Sequence, residues 1–163
     1  NKEEKTWARV KPGRMKKKKY NIYIVASTYY SEIAKKQIYN AKENLINLFG
    51  KKKINLNLIE IEGALEVPFI VNYILRKYKK IDGLVTLGCL IKGKTNHFDN
   101  ISKIVSDQLL QTSINFNTPI TSGILSVTNK SQIKSRTDGS YKDRAIEASS
   151  ALYKLIVSLE KLK

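Results

Sequence analysis

Four short apolar runs alternate with segments whose apolar residues recur at helical spacing, and that alternation leaves this chain very few folds. Tyr20 to Ser27 is apolar and β-branched and reads as a buried strand. Ile54 to Ile61, Asp82 to Leu90 and Pro119 to Val127 read the same way, the third continuous enough to be central. Between the first two, Tyr30 to Phe49 sets Ile33, Ile38, Ala41, Leu45, Ile46 and Leu48 at near-helical spacing, and Gly50 closes the segment. Lys51 to Lys53 then reads as a solvated turn. Helical spacing returns in Glu66 to Tyr78, with Pro68 in its first turn, and in His97 to Ile114, where Thr95 is the expected N-cap. A short helix from Asn129 to Arg136 is broken by Asp138-Gly139, and Lys142 to Leu162 forms a long final helix. Strand and helix in strict alternation predict a parallel sheet covered on both faces.

The expected fold class is therefore α/β: a three-layer α/β/α sandwich around a four-stranded parallel sheet, flavodoxin-like in form. In such sheets ligands lie outside the carboxyl ends of the strands. Tyr29 and Tyr30 follow the first strand, Gly63 to Glu66 the second, and Gly88 to His97 the third, so three candidate loops fall on one edge.

Length and composition narrow the class further. The 163 residues, 42% of them hydrophobic, fit one domain with a real core and leave no room for a second of normal size. No apolar stretch approaches the roughly 18–20 residues that cross a bilayer, and no signal peptide is recognisable, so a cytoplasmic protein without membrane partners is expected. Cys89 is the single cysteine and His97 the single histidine, which excludes an intramolecular disulfide and gives no metal-ligand cluster. No cofactor is expected.

The net charge is +16. Residues 1–19 hold nine Lys or Arg and two Glu, so they supply +7 of it. The segment reads as a basic, mobile tail, or one docked on a neighbour, with the domain spanning 20–163. Met15, followed by four lysines, reads as a natural initiator, which makes residues 1–14 an added or processed leader. The remaining lysines, among them Lys35, Lys36, Lys77, Lys79 and Lys80, are scattered along helix exteriors and read as solvated faces. Nucleic acid is expected as a partner only through the tail.

Chemistry concentrates in GCLIKGKTNHFDN, residues 88–100. Lys92-Gly93-Lys94-Thr95 before a helix makes an anion cradle of free amides, fixed charge and a hydroxyl; an ordinary lysine-bearing loop is the plainer alternative. Neither a Walker A spacing nor G-x-G-x-x-G is present. His97 at the helix start can act as a general acid–base beside a phosphate, or merely cap the helix. The helix end disfavours its imidazolium and a bound phosphate favours it, so the two effects oppose. Tyr29 and Tyr30 offer an aromatic face for a flat heterocycle or packing beneath the loop. Glu66 can bind hydroxyls or serve as a helix N-terminal carboxylate, Gly63 admits close backbone approach, and Arg136 and Arg144 can reach an anion or remain solvated.

Taken together and in order, these segments resemble the lumazine synthases from about Tyr20 to Leu162. GCLIKGKTNHFD (88–99) is similar to that family's G-x-[VI]-I-[RK]-G-x-T-x-H-[FY] segment, GALEVP (63–68) to its G-A-[FL]-E-[IV]-P, and PITSGILSVTNKSQIKSR (119–136) to its P-x-x-x-G-[IV]-L-T with the arginine that follows. The resemblance implies a transferase of riboflavin biosynthesis that condenses 5-amino-6-(D-ribitylamino)uracil with 3,4-dihydroxy-2-butanone 4-phosphate. Position by position, it implies Tyr29 stacked on the pyrimidine and Ala64, Leu65 and Glu66 on the ribityl chain. Backbone groups of Cys89, Leu90 and Ile91 would hold the heterocycle, and Ser122 and Arg144 also belong to the implied substrate site. Lys94 and Thr95 would meet the phosphate with Arg136 of an adjacent subunit, and His97 would move protons. A homo-oligomer is implied, a pentamer or a shell of twelve pentamers.

Four positions depart from the family pattern. Glu62 stands where proline is frequent, and Ser122 where phenylalanine or asparagine faces the heterocycle. Arg144 replaces the lysine of a final N-K-G, and Lys94 replaces an acidic or small residue. Two other readings remain: a catalytically weakened shell or scaffold that holds nucleic acid or cargo through the basic tail, and a flavin-binding module using the same edge loops.

Overall fold

A computed structural model describes residues 15–93 and 97–163, with the backbone alone for residues 97 and 98. The expected alternation is present. Strands β1 (Tyr20–Ser27), β2 (Ile54–Ile61), β3 (Gly83–Ile91) and β4 (Ile120–Val127) are interleaved with helices α1 (Ser31–Phe49), α2 (Val67–Lys77), α3 (His97–Phe116), α4 (Ser131–Thr137) and α5 (Arg144–Leu162). Short 3-10 turns at Lys51–Lys53 and Ala64–Glu66 precede β2 and α2. The sheet runs in the order β2-β1-β3-β4 with every pair parallel. Such pairing requires a crossover between neighbours, and the helices supply it, α1 and α5 on one face and α2 and α3 on the other.

Residue order along the strands decides which face is filled by what. Ile22, Ile24 and Ala26 of β1 and Val85 and Leu87 of β3 pack against Ile38, Ala41 and Leu45 of α1 and Ala148 and Leu152 of α5. Their neighbours Val25 and Leu84 turn to the opposite face and meet Val71 and Ile74 of α2 and Val105 and Leu109 of α3. β3 has neighbours on both sides and helices on both faces, and its first seven residues are buried. Met15, which the sequence groups with the tail, is buried in the α1–α5 layer, and Lys17 N donates to Tyr20 Oη at 3.1 Å.

Several element ends differ from expectation by one or two residues, each for a local reason. Pro119 has no N–H for the ladder, yet its carbonyl accepts from Leu84 N at 2.9 Å, so β4 begins one residue later. α3 continues to Phe116, where Asn117 takes a left-handed φ of 50° and Ser113 Oγ donates to Thr118 O at 2.8 Å. α5 begins at Arg144 because Asp143 is its N-cap: Oδ1 accepts from Ala145 N at 2.8 Å and Ile146 N at 3.2 Å.

The other oxygen of Asp143 accepts from Asn40 Nδ2 and Gly139 N, both at 2.8 Å, joining α1, the turn after α4 and α5 at one buried point. Asp143→Ala removes the cap and strands buried donors, a combined cost of about 3 kcal/mol. Urea denaturation checks this; a loss under about 1 kcal/mol contradicts the assigned role.

Candidate active site at the carboxyl edge of the sheet

The β1–β3 ladder ends at Ala26↔Leu87, whereas the β3–β4 ladder continues to Ile91↔Val127. Beyond Leu87, therefore, the β1-facing backbone groups of β3 have no strand partner. These are the groups of Cys89 and Ile91; Gly88 faces β4, where Gln37 Nε2 of α1 donates to Gly88 O at 2.8 Å and to Gly123 O at 3.4 Å. Past that point the gap opens into a cavity of about 440 Å3 lined by Tyr29, Ala64, Leu65, Glu66, Cys89, Leu90 and Ile91, among others. Three loops that are far apart in sequence thus meet at one site. All seven of these residues were candidates from sequence.

Cross-links fix the loops. Thr28 N donates to Ile61 O at 2.7 Å and Ser27 Oγ to Glu62 O at 2.8 Å, tying the exits of β1 and β2. Glu62, where proline is frequent in the resembled family, contributes that accepting carbonyl. Tyr29 and Tyr30 divide the two roles open to them. Tyr30 packs against the cluster of Cys89, Leu125 and Val127, and burial, then the neighbouring Tyr29, pushes its phenol pKa up. Tyr29 lies edge-on to it at 5.0 Å and 83° but is 66% exposed, leaving a ring face free. Glu66 directly precedes α2 without capping it and is exposed, which leaves its carboxylate available. A Cβ on Gly63 would fall 2.1 Å from Glu66 Oε2, so glycine gives that carboxylate its space.

Gly93 also lines the cavity, and Ile101, one turn into α3, does so too, which puts the helix start at the rim. Lys94 and Thr95 lie outside the described residues, as does the side chain of His97, whose backbone begins α3. Lys92 Nζ stands 3.9 Å from Asp99 Oδ2, an exposed pair that links the two ends of that loop weakly.

Ser122, Arg136 and Arg144 do not join these residues within one chain. They line a second cavity of about 400 Å3 along the outer side of β4, with Ser102 and Ser106 of α3 and Gln132 of α4; Leu90 borders both cavities. Arg144 is engaged already: Nη2 donates to Ser122 O at 3.2 Å and Nη1 pairs with Glu147 Oε1 at 3.0 Å. Arg136 is exposed and, among the described residues, forms no ion pair. The two arginines therefore differ, one bracing β4 and the other open to an anion. Gln37 escaped the sequence reading, although a lone amide within the apolar stripe of α1 was the available signal. Ser102, Ser106 and Ser126 of the second cavity carried no signal at all.

This is an α/β enzyme architecture with a concave site at the carboxyl ends of parallel strands, of the kind that holds a flat, hydroxyl-bearing small molecule. A family profile described as 6,7-dimethyl-8-ribityllumazine synthase matches residues 19–160. Proteins of that name from Leuconostoc mesenteroides and Wigglesworthia glossinidia brevipalpis are 34% and 32% identical, over 87% and 88% of this chain and 90% and 93% of their own. One from Buchnera aphidicola is 32% identical over 86% of this chain and 87% of its own. The chain belongs to the 6,7-dimethyl-8-ribityllumazine synthase family, transferases of riboflavin biosynthesis.

Cys89 is buried and free, and burial pushes its thiol up to about 11. At pH 8 only about 0.1% of such a thiol is thiolate. Ellman's reagent is expected to label the native protein at under a hundredth of the rate seen in urea. Comparable rates would show that Cys89 is open and reactive.

Proposed function

We propose that this chain condenses 5-amino-6-(D-ribitylamino)uracil with 3,4-dihydroxy-2-butanone 4-phosphate to 6,7-dimethyl-8-ribityllumazine. The arylamine attacks the ketone and water leaves to give a Schiff base. Phosphate is then eliminated, and the ribityl-bearing nitrogen closes the ring with loss of a second water. The observation that carries the proposal is the first cavity, where Tyr29, Ala64 to Glu66 and Cys89 to Ile91 converge at the positions the family motifs assign.

In this reading the uracil stacks on the free face of Tyr29, and the unpaired backbone of β3 past Leu87 hydrogen-bonds its polar edge. The Glu66 carboxylate accepts from ribityl hydroxyls. Lys94, Thr95 and the start of α3 receive the phosphate, and His97 carries protons from the attacking amine toward the departing oxygens. The protein's contribution is chiefly orientation and charge placement, because both reactants are multifunctional and must meet at one pair of atoms.

Arg136 then acts from an adjacent subunit, so the enzyme works as a homo-oligomer, a pentamer or a twelve-pentamer shell, in the cytoplasm. Support comes from the separation of the two cavities and from apolar surface left open on α2 and α3, where Phe69, Leu110 and Ile114 are exposed. Among the described residues no helix is long and apolar enough to cross a membrane. The comparisons lend no support to a scaffold that has lost catalysis.

Purified protein given both substrates is expected to raise lumazine absorbance well above the uncatalysed rate; no increase refutes the proposal. His97→Ala should slow turnover by roughly 10²–10⁴-fold with the native mass unchanged. An unaltered rate removes the role given to His97. Native mass itself should be five or sixty times the 18.6 kDa chain, and a monomer contradicts the shared site.

A further inference from the structure

The amino edge of the sheet, opposite the catalytic cavity, collects most of the chain's excess charge. Each of the first three strands is entered through cations: positions 16–19 before β1, Lys51–Lys53 before β2, and Lys79 and Lys80 before β3. Arg76 and Lys77 end α2 at the same edge, and Lys161 and Lys163 end α5 there, where Lys16 Nζ donates to Glu160 O at 2.9 Å. Along the sequence these lysines look scattered; the fold brings them together. All of them are exposed.

Counter-charge at this edge is small and already engaged. Among the described residues its carboxylates are Asp82 and Glu160. Asp82 is paired with Lys17 and accepts from Asn21 N at 2.7 Å, and Glu160 is 5% exposed, 3.7 Å from Lys163 Nζ. The carboxyl ends of α1, α2, α3 and α5 also point here and contribute about −2 in total. Against thirteen Lys and Arg side chains, these terms leave an excess of about nine positive charges.

Aromatic rings are interleaved with this charge. Lys77 Nζ lies 5.8 Å from the Tyr73 ring and 5.4 Å from the Tyr78 ring, and both tyrosines are about half exposed. Tyr78 is itself stacked on Tyr23, centroids 6.0 Å apart and planes 23° apart, which holds its ring in place. Clustered cations with fixed, exposed rings are what a single-stranded nucleic acid requires: phosphates meet the lysines and unpaired bases stack on the tyrosines. A duplex hides its base faces and gains nothing from the rings.

We propose that the amino edge of the sheet binds single-stranded RNA, independently of the catalytic cavity. The test is fluorescence anisotropy of the full chain with a labelled single-stranded RNA of about twenty nucleotides, compared across salt concentrations with a duplex of equal length and with heparin. Replacing Lys51, Lys52, Lys53, Lys79 and Lys80 by Gln is expected to weaken binding at 100 mM salt by roughly 30-fold or more and to flatten the salt slope by about 3. Tyr78→Leu should weaken single-strand binding about 5- to 100-fold and leave duplex binding alone. A control with equal charge loss elsewhere, Lys35, Lys36, Lys42, Lys130 and Lys134 to Gln, should weaken binding less than about 3-fold. Lumazine formation should persist in the lysine variants. The proposal is overturned if the control set weakens binding as much, if duplex or heparin binds as tightly as single strands, or if no binding is measurable at 100 mM salt.

Discussion

The unequal pairing of β3 with its two neighbours is the constraint on which the rest of this structure depends. β3 is paired with β4 from Leu84 to its end at Ile91 but with β1 only as far as Leu87. Backbone donors and acceptors that a sheet would normally consume are left facing a gap, and buried groups of that kind need a partner. Those of Cys89 and Ile91 become the floor of the cavity. A longer β1 would close the ladder and leave nothing for a heterocycle to bond.

β4 imposes the second division. With Leu90 between them, one cavity opens toward β1 and the other along the outer side of β4, so a single chain holds two separate surfaces. Tyr29 and Glu66 belong to the first, Arg136 to the second. Arg144 spends its guanidinium on Ser122 and Glu147, holding β4 in position beside the open Arg136. A heterologous contact between copies, repeated around a closed ring, joins a first surface to a second at every interface. That geometry gives a physical reason for the proposed oligomer: without it the cation and the aromatic face stay apart.

The fold was almost fully readable, because strands buried on both faces must be continuous apolar runs and the helices must show a stripe. Ile54–Ile61 was read to the residue. Helix ends were less legible, since they depend on side-chain caps such as Asp143 and on the left-handed Asn117, neither of which alters the apolar pattern. In the site, motif order identified the residues of the first cavity. The resemblance assigned Arg136 to an adjacent subunit, but nothing showed that Ser122 lies across β4 from the first cavity, because spacing along a chain does not say which side of an edge strand a residue serves. Cys89 was legible as a position but not as a thiol held protonated by burial. The charge of the amino edge was visible as a total and invisible as a place.

Mixing two defective variants tests the central claim, that catalysis needs one surface from each of two chains. Glu66→Ala damages the first cavity and Arg136→Ala the second, so each variant alone should have little activity. Dissociated and reassembled one to one, they should regain about a quarter of wild-type activity, from interfaces that pair the two intact surfaces. A mixture no more active than the mean of its two components would contradict the shared site and return Arg136 to a role within its own chain.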